Sequence, residues 1–296
     1  MVVLNSGISW CSGTLNPWVG CRKVSDGCKF CYAEELVQRM PSFGHDFADV
    51  KLHMKRLAEI RRMKPHVHPD DTRTPYLAFV NSMSDFFFED VPDENIHTAL
   101  DAFEAAPQTI FQVLTKRPIR ARKVLVGRYG NGGIPPNVWM GVSAEDNRVA
   151  KRLDILRSIK DRTGGGGTFF VSVEPIVGPT DKLDFSGLSW VITGGESGPN
   201  ARTMEREWLM PAIHRAQWHR AALWHKQNGN VASHPNIGEV PDRITQSSDK
   251  FRWLRDHGFE VLPQEKGGAT VDKQTYREMP AHYHELTTWL NGGSLL

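Results

Sequence analysis

"YLAFVNSMSD" (Tyr76–Asp85) is a short, β-rich apolar run that ends in polar residues, and the pattern returns down the chain. "TIFQVLTKRP" begins at Thr109, "VWMGVSAED" at Val138, "TFFVSVEP" at Thr168, "SWVITGGESG" at Ser189 and "ALWHKQNG" at Ala222. Most starts lie about 30 residues apart, the length of a strand, a helix and two loops. Only the Thr168–Ser189 interval is shorter, so that crossover is expected to lack a full helix. Helical patterns fill most of the other gaps. "VPDENIHTALDAFEAA" opens with Pro-Asp-Glu and carries Ile96, Leu100 and Phe103 on one face. "EDNRVAKRLDILRSIKDR" and "REWLMPAIHRAQWHRAA" read similarly, with Pro211 expected to kink or restart the second.

Apolar strands alternating with amphipathic helices predict an α/β fold whose parallel sheet is covered on both faces. Six such strands, with a seventh near "GISW" (7–10), predict a partial or complete (β/α) TIM-type barrel; a doubly wound open sheet is the competing architecture. From about Asn230 the character changes. "SDKFRWLRDHG" reads as a helix stopped by Gly258, "FEVLP" as a short strand and "HYHELTTWL" as a final helix, which together predict a small C-terminal α/β extension. "GGGG" (164–167) is read as a flexible turn.

With 296 residues, 40% apolar and 24% charged, the chain has the composition of an ordinary globular protein. A formal charge of +2 neither announces nor excludes a nucleic-acid partner. The N-terminus "MVVLNSGISW" has no basic leader, and no apolar run approaches the ~20 residues that span a bilayer. The reading is a cytoplasmic protein with no membrane partner. Four cysteines, three of them clustered, are unlike a secreted disulfide framework and point to metal or to chemistry.

In a barrel or a wound sheet, ligands sit at the carboxyl ends of the strands. The polar residues there are Ser82, Ser84 and Asp85; Lys116 and Arg117; Ser143 and Glu145; Glu174; Glu196 and Ser197; Lys226 and Gln227. Together they predict a polar active site. The glycines of "GGESGP" (194–199) would let a ligand approach the backbone closely, but this is neither a Walker loop nor a dinucleotide fingerprint. Basic residues cluster in "KLHMKRLAEIRRMK" (Lys51–Lys64) and "KRPIRARK" (Lys116–Lys123). They read as solvated faces, with a phosphate-contacting rim as the sharper alternative.

Cys21, Cys28 and Cys31 have the spacing C-x6-C-x2-C, with Cys11 upstream. Three metal readings are open: four-cysteine zinc using Cys11, a fully ligated electron-transfer cluster using Cys11, or an iron–sulfur cluster held by three cysteines with one iron free. "C-K-F-C-Y" favours the third. It matches the second half of the radical S-adenosylmethionine (SAM) signature, with Phe30 as the aromatic before the last cysteine. The first spacing is expanded to six residues, "RKVSDG".

"LNPWVGCRKVSDGCKFCYAE", "VNSMSD", "VLTKRP", "WMGVSAED", "VSVEP", "WVITGGESGP" and "KQNG" occur in order. Together they resemble the phage-associated three-cysteine-motif family of unknown function, which is radical-SAM-like. The resemblance spans about residues 8–230, with a looser match in "EKGGATVDKQTYREMP". It implies a radical-SAM-like barrel over 1–230 carrying the N-terminal cysteine loop, and an extension over 231–296 packed on it. It further implies an enzyme in which Cys21, Cys28 and Cys31 ligate a [4Fe–4S] cluster. SAM would be cleaved reductively there to a 5′-deoxyadenosyl radical, with electrons from an external donor. Ser82, Ser84 and Asp85 would receive the methionine amino group, Lys116 its carboxylate, and Ser143 and Glu145 the ribose hydroxyls. Gly194, Gly195 and Glu196 would flank adenine or the methionyl end. Glu174, Lys226 and Arg202 are left for the substrate, and Cys11 is incidental. The substrate is unassigned, and the basic segments suggest a nucleotide or nucleic-acid-derived one. The rival function is a non-catalytic zinc- or cluster-bearing module that binds nucleic acid.

Overall fold

The structure is a computed structural model. It describes residues 2–40, 46–198, 200–229, 239–241, 243, 252–253, 256–258, 270–271 and 274–293. Eight strands form one sheet: β1 (Val2–Val3), β2 (Gly13–Leu15), β3 (Tyr76–Val80), β4 (Thr109–Thr115), β5 (Val138–Ser143), β6 (Phe169–Val173), β7 (Trp190–Gly194) and β8 (Ala222–Gln227). Their spatial order is their chain order. The β1–β2 pair is antiparallel, and every pair from β2 to β8 is parallel. A doubly wound sheet reverses its strand order at a switch point; this one does not. It is a partial TIM-type barrel, left open between β1 and β8.

Helices α1 (Tyr32–Arg39), α2 (Asp93–Glu104), α3 (Pro118–Tyr129), α4 (Lys151–Arg162), α5 (Arg206–Trp218) and α6 (Ala281–Leu290) complete the described frame. In α2, Ile96, Leu100 and Phe103 are buried, as their spacing requires. Between β6 and β7 there is no α-helix, in keeping with the short interval. Pro211 neither stops nor restarts α5, which runs through it as one helix. The strand expected at "GISW" forms later, at Gly13–Leu15. Trp10 instead turns inward from a bend in which Cys11 N–H donates to the Ile8 carbonyl at 3.2 Å. The expected strand "FEVLP" and most of "SDKFRWLRDHG" lie outside the described residues.

Alternate residues of each strand enter two different apolar layers. Ala78, Val80, Phe111, Val113, Met140, Val142 and Val171 face the helices. Leu77, Phe79, Ile110, Trp139, Phe170, Trp190 and Ile192 fill the barrel interior with Trp10. Trp10 lies 4.6 Å from Phe79 and 6.2 Å from Trp190, and Trp139 lies 5.8 Å from Trp190 between ring centres. Gly141 has no room for a side chain, because a Cβ there would sit 2.5 Å from the Phe170 ring.

The C-terminal residues close this interior and cover the β8 edge. Arg277 bridges antiparallel to Trp224. His225 N–H donates to the Tyr276 carbonyl at 3.0 Å, and Glu278 N–H to that of Leu223 at 2.9 Å. Trp190 Nε1 donates to the Glu278 carbonyl at 2.9 Å. Leu286 of α6 is 3% exposed within the inner cluster. No described helix is long and apolar enough to cross a membrane. Leu286→Ala is expected to lower unfolding free energy by ~2–5 kcal/mol, read as a lower urea midpoint at unchanged slope.

Candidate active site

The parallel strands deliver their carboxyl ends to one rim, and a cavity of about 560 Å³ opens there. Cys21, Cys28 and Cys31 all line it. Cys21 follows a two-residue strand, Trp18–Val19, and its N–H donates to the Phe47 carbonyl at 2.7 Å. The neighbouring Gly20 has φ +112°, and its N–H donates to the Met83 carbonyl at 3.0 Å. Cys28 ends a 3-10 turn, Asp26–Cys28, and Cys31 is the residue before α1.

The six-residue gap between the first two cysteines is anchored across the barrel mouth. Gly27 N–H donates to Glu145 Oε1 at 3.3 Å. A Cβ at Gly27 would lie 2.9 Å from the Glu145 carboxyl carbon, so only glycine fits without displacement. Asp26 Oδ2 receives Arg148 Nη2 at 2.9 Å and Arg202 Nη1 at 3.2 Å. Arg202 also donates to the Asp26 carbonyl at 3.0 Å and lies 5.5 Å from the Phe30 ring centre. The hydrogen bond from Arg148, helped by the charge of Arg202, holds the Asp26 carboxyl below its usual range.

Burial pushes the Cys21 thiol up to about 11, against the pull of Arg117, and raises Cys31 also. Metal binding at these thiols would therefore release protons. Among the described residues, no group of three or more His, Cys, Asp or Glu side chains is arranged to hold a single metal ion. Three soft sulfur donors lining one shared cavity have the donor chemistry of a zinc or an iron–sulfur site. Cys11 takes no part. It belongs to the inner apolar layer, does not line the cavity, and burial drives its thiol up to about 12.

Residues 5–280 match a family described as "Protein of unknown function (DUF5131)". The chain belongs to this family. No curated protein matches it. A solved structure of spore photoproduct lyase, a cysteine-to-alanine mutant with dinucleoside spore photoproduct, is similar with a TM-score of 0.45 and 12% identity. The match covers 72% of this chain and 63% of that one, less than two thirds of its length.

Within this DUF5131 chain the strand-end residues divide into those that face the cavity and those that build its wall. Ser82, Ser84, Asp85, Lys116, Ser143, Glu174, Gly195, Glu196 and Lys226 all line the cavity. Lining is not the same as being available. Asp85 already accepts from Thr115 Oγ1 at 2.6 Å, Phe87 N–H at 3.0 Å, Lys116 N–H at 2.8 Å and Arg117 Nη1 at 3.2 Å. Its carboxylate ties the β4 end to Arg117. Ser82 exchanges hydrogen bonds with the Asn16 side chain, and the Ser84 hydroxyl donates to the Gly20 carbonyl. Glu196 accepts Arg202 N–H, Nε and Nη2 at 2.7–2.9 Å. Glu174 and Lys226 form an ion pair.

Three expected site residues do not line the cavity. Gly194 lies behind Glu174, whose carboxyl carbon would be 3.3 Å from a Cβ there. Arg202 is turned to Glu196 and Asp26. Glu145 is fully buried in the wall, where Arg152 Nη1 donates to it at 2.9 Å. Burial pushes its carboxyl up, but Lys116, Arg152 and the Ser25 hydroxyl outweigh this and hold it below the usual 4.5. No residue of Lys51–Lys64 lines the cavity. In the second basic segment, Lys116 and Arg117 line the cavity, and Arg120 is bonded to the Phe88 and Val91 carbonyls. Sequence reasoning missed Tyr32, which lines the cavity and donates to the Ser82 carbonyl at 2.5 Å, although it follows Cys31 directly.

Since Glu145 has a lowered carboxyl pKa, its stabilisation is complete above 4.5 and is lost as pH falls through the lowered value. Glu145→Gln is expected to cost about 1–3 kcal/mol at pH 7, and the gap to wild type should close in acid, as followed by urea denaturation. Gly27→Ala is expected to leave global stability nearly unchanged but to speed amide exchange across residues 22–30.

Proposed function

We propose that this chain is a radical SAM enzyme, with Cys21, Cys28 and Cys31 holding a [4Fe–4S] cluster that keeps one iron for SAM. One observation carries the reading: three thiols, without Cys11, open on a single cavity at the carboxyl ends of the parallel strands. With both cofactors bound, one-electron reduction of SAM by an external donor would supply a 5′-deoxyadenosyl radical that takes hydrogen from substrate.

The chain's own residues would bind, orient and exclude water. Lys116 lines the cavity, and its charge, which also helps hold the Glu145 carboxyl low, suits it to a ligand carboxylate. Gly195 lines the cavity, packs its Cα face against the Asn228 backbone, and has its N–H fixed by the Gln227 carbonyl at 2.9 Å. Ser143 offers a hydroxyl for a ribose. Glu196 and its partner Arg202 would shape the same wall, and the Glu174–Lys226 pair is the polar contact left for substrate. Trp10, Phe79 and Leu114 give an apolar floor, which protects a reactive intermediate from water. A reducing, cytoplasmic setting suits the thiols. A nucleotide-like substrate is the class to try first, with Lys116 and Lys226 as its cationic contacts.

Anaerobic reconstitution with iron and sulfide, then dithionite and SAM, is expected to yield 5′-deoxyadenosine by mass spectrometry. Alanine at any of Cys21, Cys28 or Cys31 should reduce this by ~10³-fold or more and lower bound iron, while Cys11→Ala keeps both. A wild-type chain that stays colourless and iron-free after reconstitution, or that binds one zinc and leaves SAM intact, would overturn the proposal.

A further inference from the structure

The side chain of Arg117 is 5% exposed, yet it belongs to a cavity wall and every edge of its guanidinium is used. Nε donates to both Glu89 carboxylate oxygens, at 2.7 and 2.8 Å. Nη2 donates to the Arg22 carbonyl at 3.0 Å, immediately after Cys21. Nη1 faces Asp85 Oδ2 at 3.2 Å and donates to Cys21 Sγ at 3.5 Å. The Phe88 ring lies against the plane, 4.7 Å from ring centre to guanidinium carbon. Asp85 is itself locked by Thr115, Phe87 and Lys116. A planar fork held on several sides can aim one N–H with little freedom, which a lysine ammonium cannot reproduce.

We infer that Arg117 is a positioning residue for Cys21: it fixes the sulfur's direction and donates an N–H to it, which sets the electron affinity of the group the three cysteines hold. The inference rests on the iron–sulfur reading above. A hydrogen bond and a positive charge at a ligand sulfur stabilise the more negative, reduced state, so both raise the reduction potential. The path runs from the β4 end through Asp85 and Arg117 to the first cysteine. The second and third cysteines have no such arginine partner among the hydrogen bonds of the described residues.

The test uses the full chain, reconstituted anaerobically as wild type, R117K and R117Q, with iron and sulfide content, the electron paramagnetic resonance spectrum of the reduced state and the midpoint potential as readouts. Thermal unfolding of the metal-free chains reports any purely structural loss separately. All three chains are expected to load iron. R117Q should show a lower midpoint potential and an altered spectrum, and R117K a smaller shift in the same direction. If R117Q does not fold, R117K alone carries the test, because it keeps the charge and loses the planar fork that aims an N–H at Cys21. A loaded wild type whose potential and spectrum are matched by R117K overturns the inference, even if both variants unfold at lower temperature. A wild type that takes up no iron overturns the proposed function and this inference with it.

Discussion

An open parallel sheet has two apolar faces and two unpaired edges, and everything else in this fold answers that constraint. The outer face is covered by the helices that connect the strands. On the inner face Trp10, Trp139, Trp190 and Phe170 pack together, with α6 laid over them. Gly141 is the concession that lets the Phe170 ring lie flat against β5. Because aromatic bulk occupies the barrel interior, open space remains at the carboxyl ends of the strands, where the three cysteines are.

The cysteine loop is held by charge as much as by packing. Its first part is gripped by Arg117, its middle by Glu145, Arg148 and Arg202, and its end by entry into α1. These contacts come from the ends of three different strands or the loops after them. Six of the residues expected at the cofactor or substrate fall into two groups. Lys116, Ser143 and Gly195 line the cavity, while Asp85, which lines it too, holds the wall with Glu145 and Arg202. Buried charges of this kind are satisfied internally because desolvation leaves them no cheaper state.

Much of this was legible in the sequence, for physical reasons that also explain the misses. Strand and helix periodicity report burial directly, so β3 to β8 and the faces of α2 were readable. Strand ends were readable too, since the polar residues begin where the apolar run stops. What periodicity cannot carry is the direction of a side chain beyond its strand. Asp85 and Glu145 have the residue type of ligand contacts, but their partners, Arg117 and Arg152, come from other segments or a later turn. The inward turn of Trp10 was hidden because "GISW" alternates like a strand. Tyr32 was hidden by its neighbour, since a residue after a cysteine motif reads as the first residue of a helix.

The strand formed by Ala222–Gln227 has a neighbour on one side only within the parallel sheet, and its other side is matched by Tyr276–Glu278. Edge protection and fold are thereby joined over a long chain separation. A shortened chain ending near residue 230 would keep all three cysteines and the cavity rim, yet present a bare, parallel strand edge beside exposed tryptophan rings. Such an edge recruits another chain, so the barrel half on its own would tend toward aggregates before its chemistry could be observed.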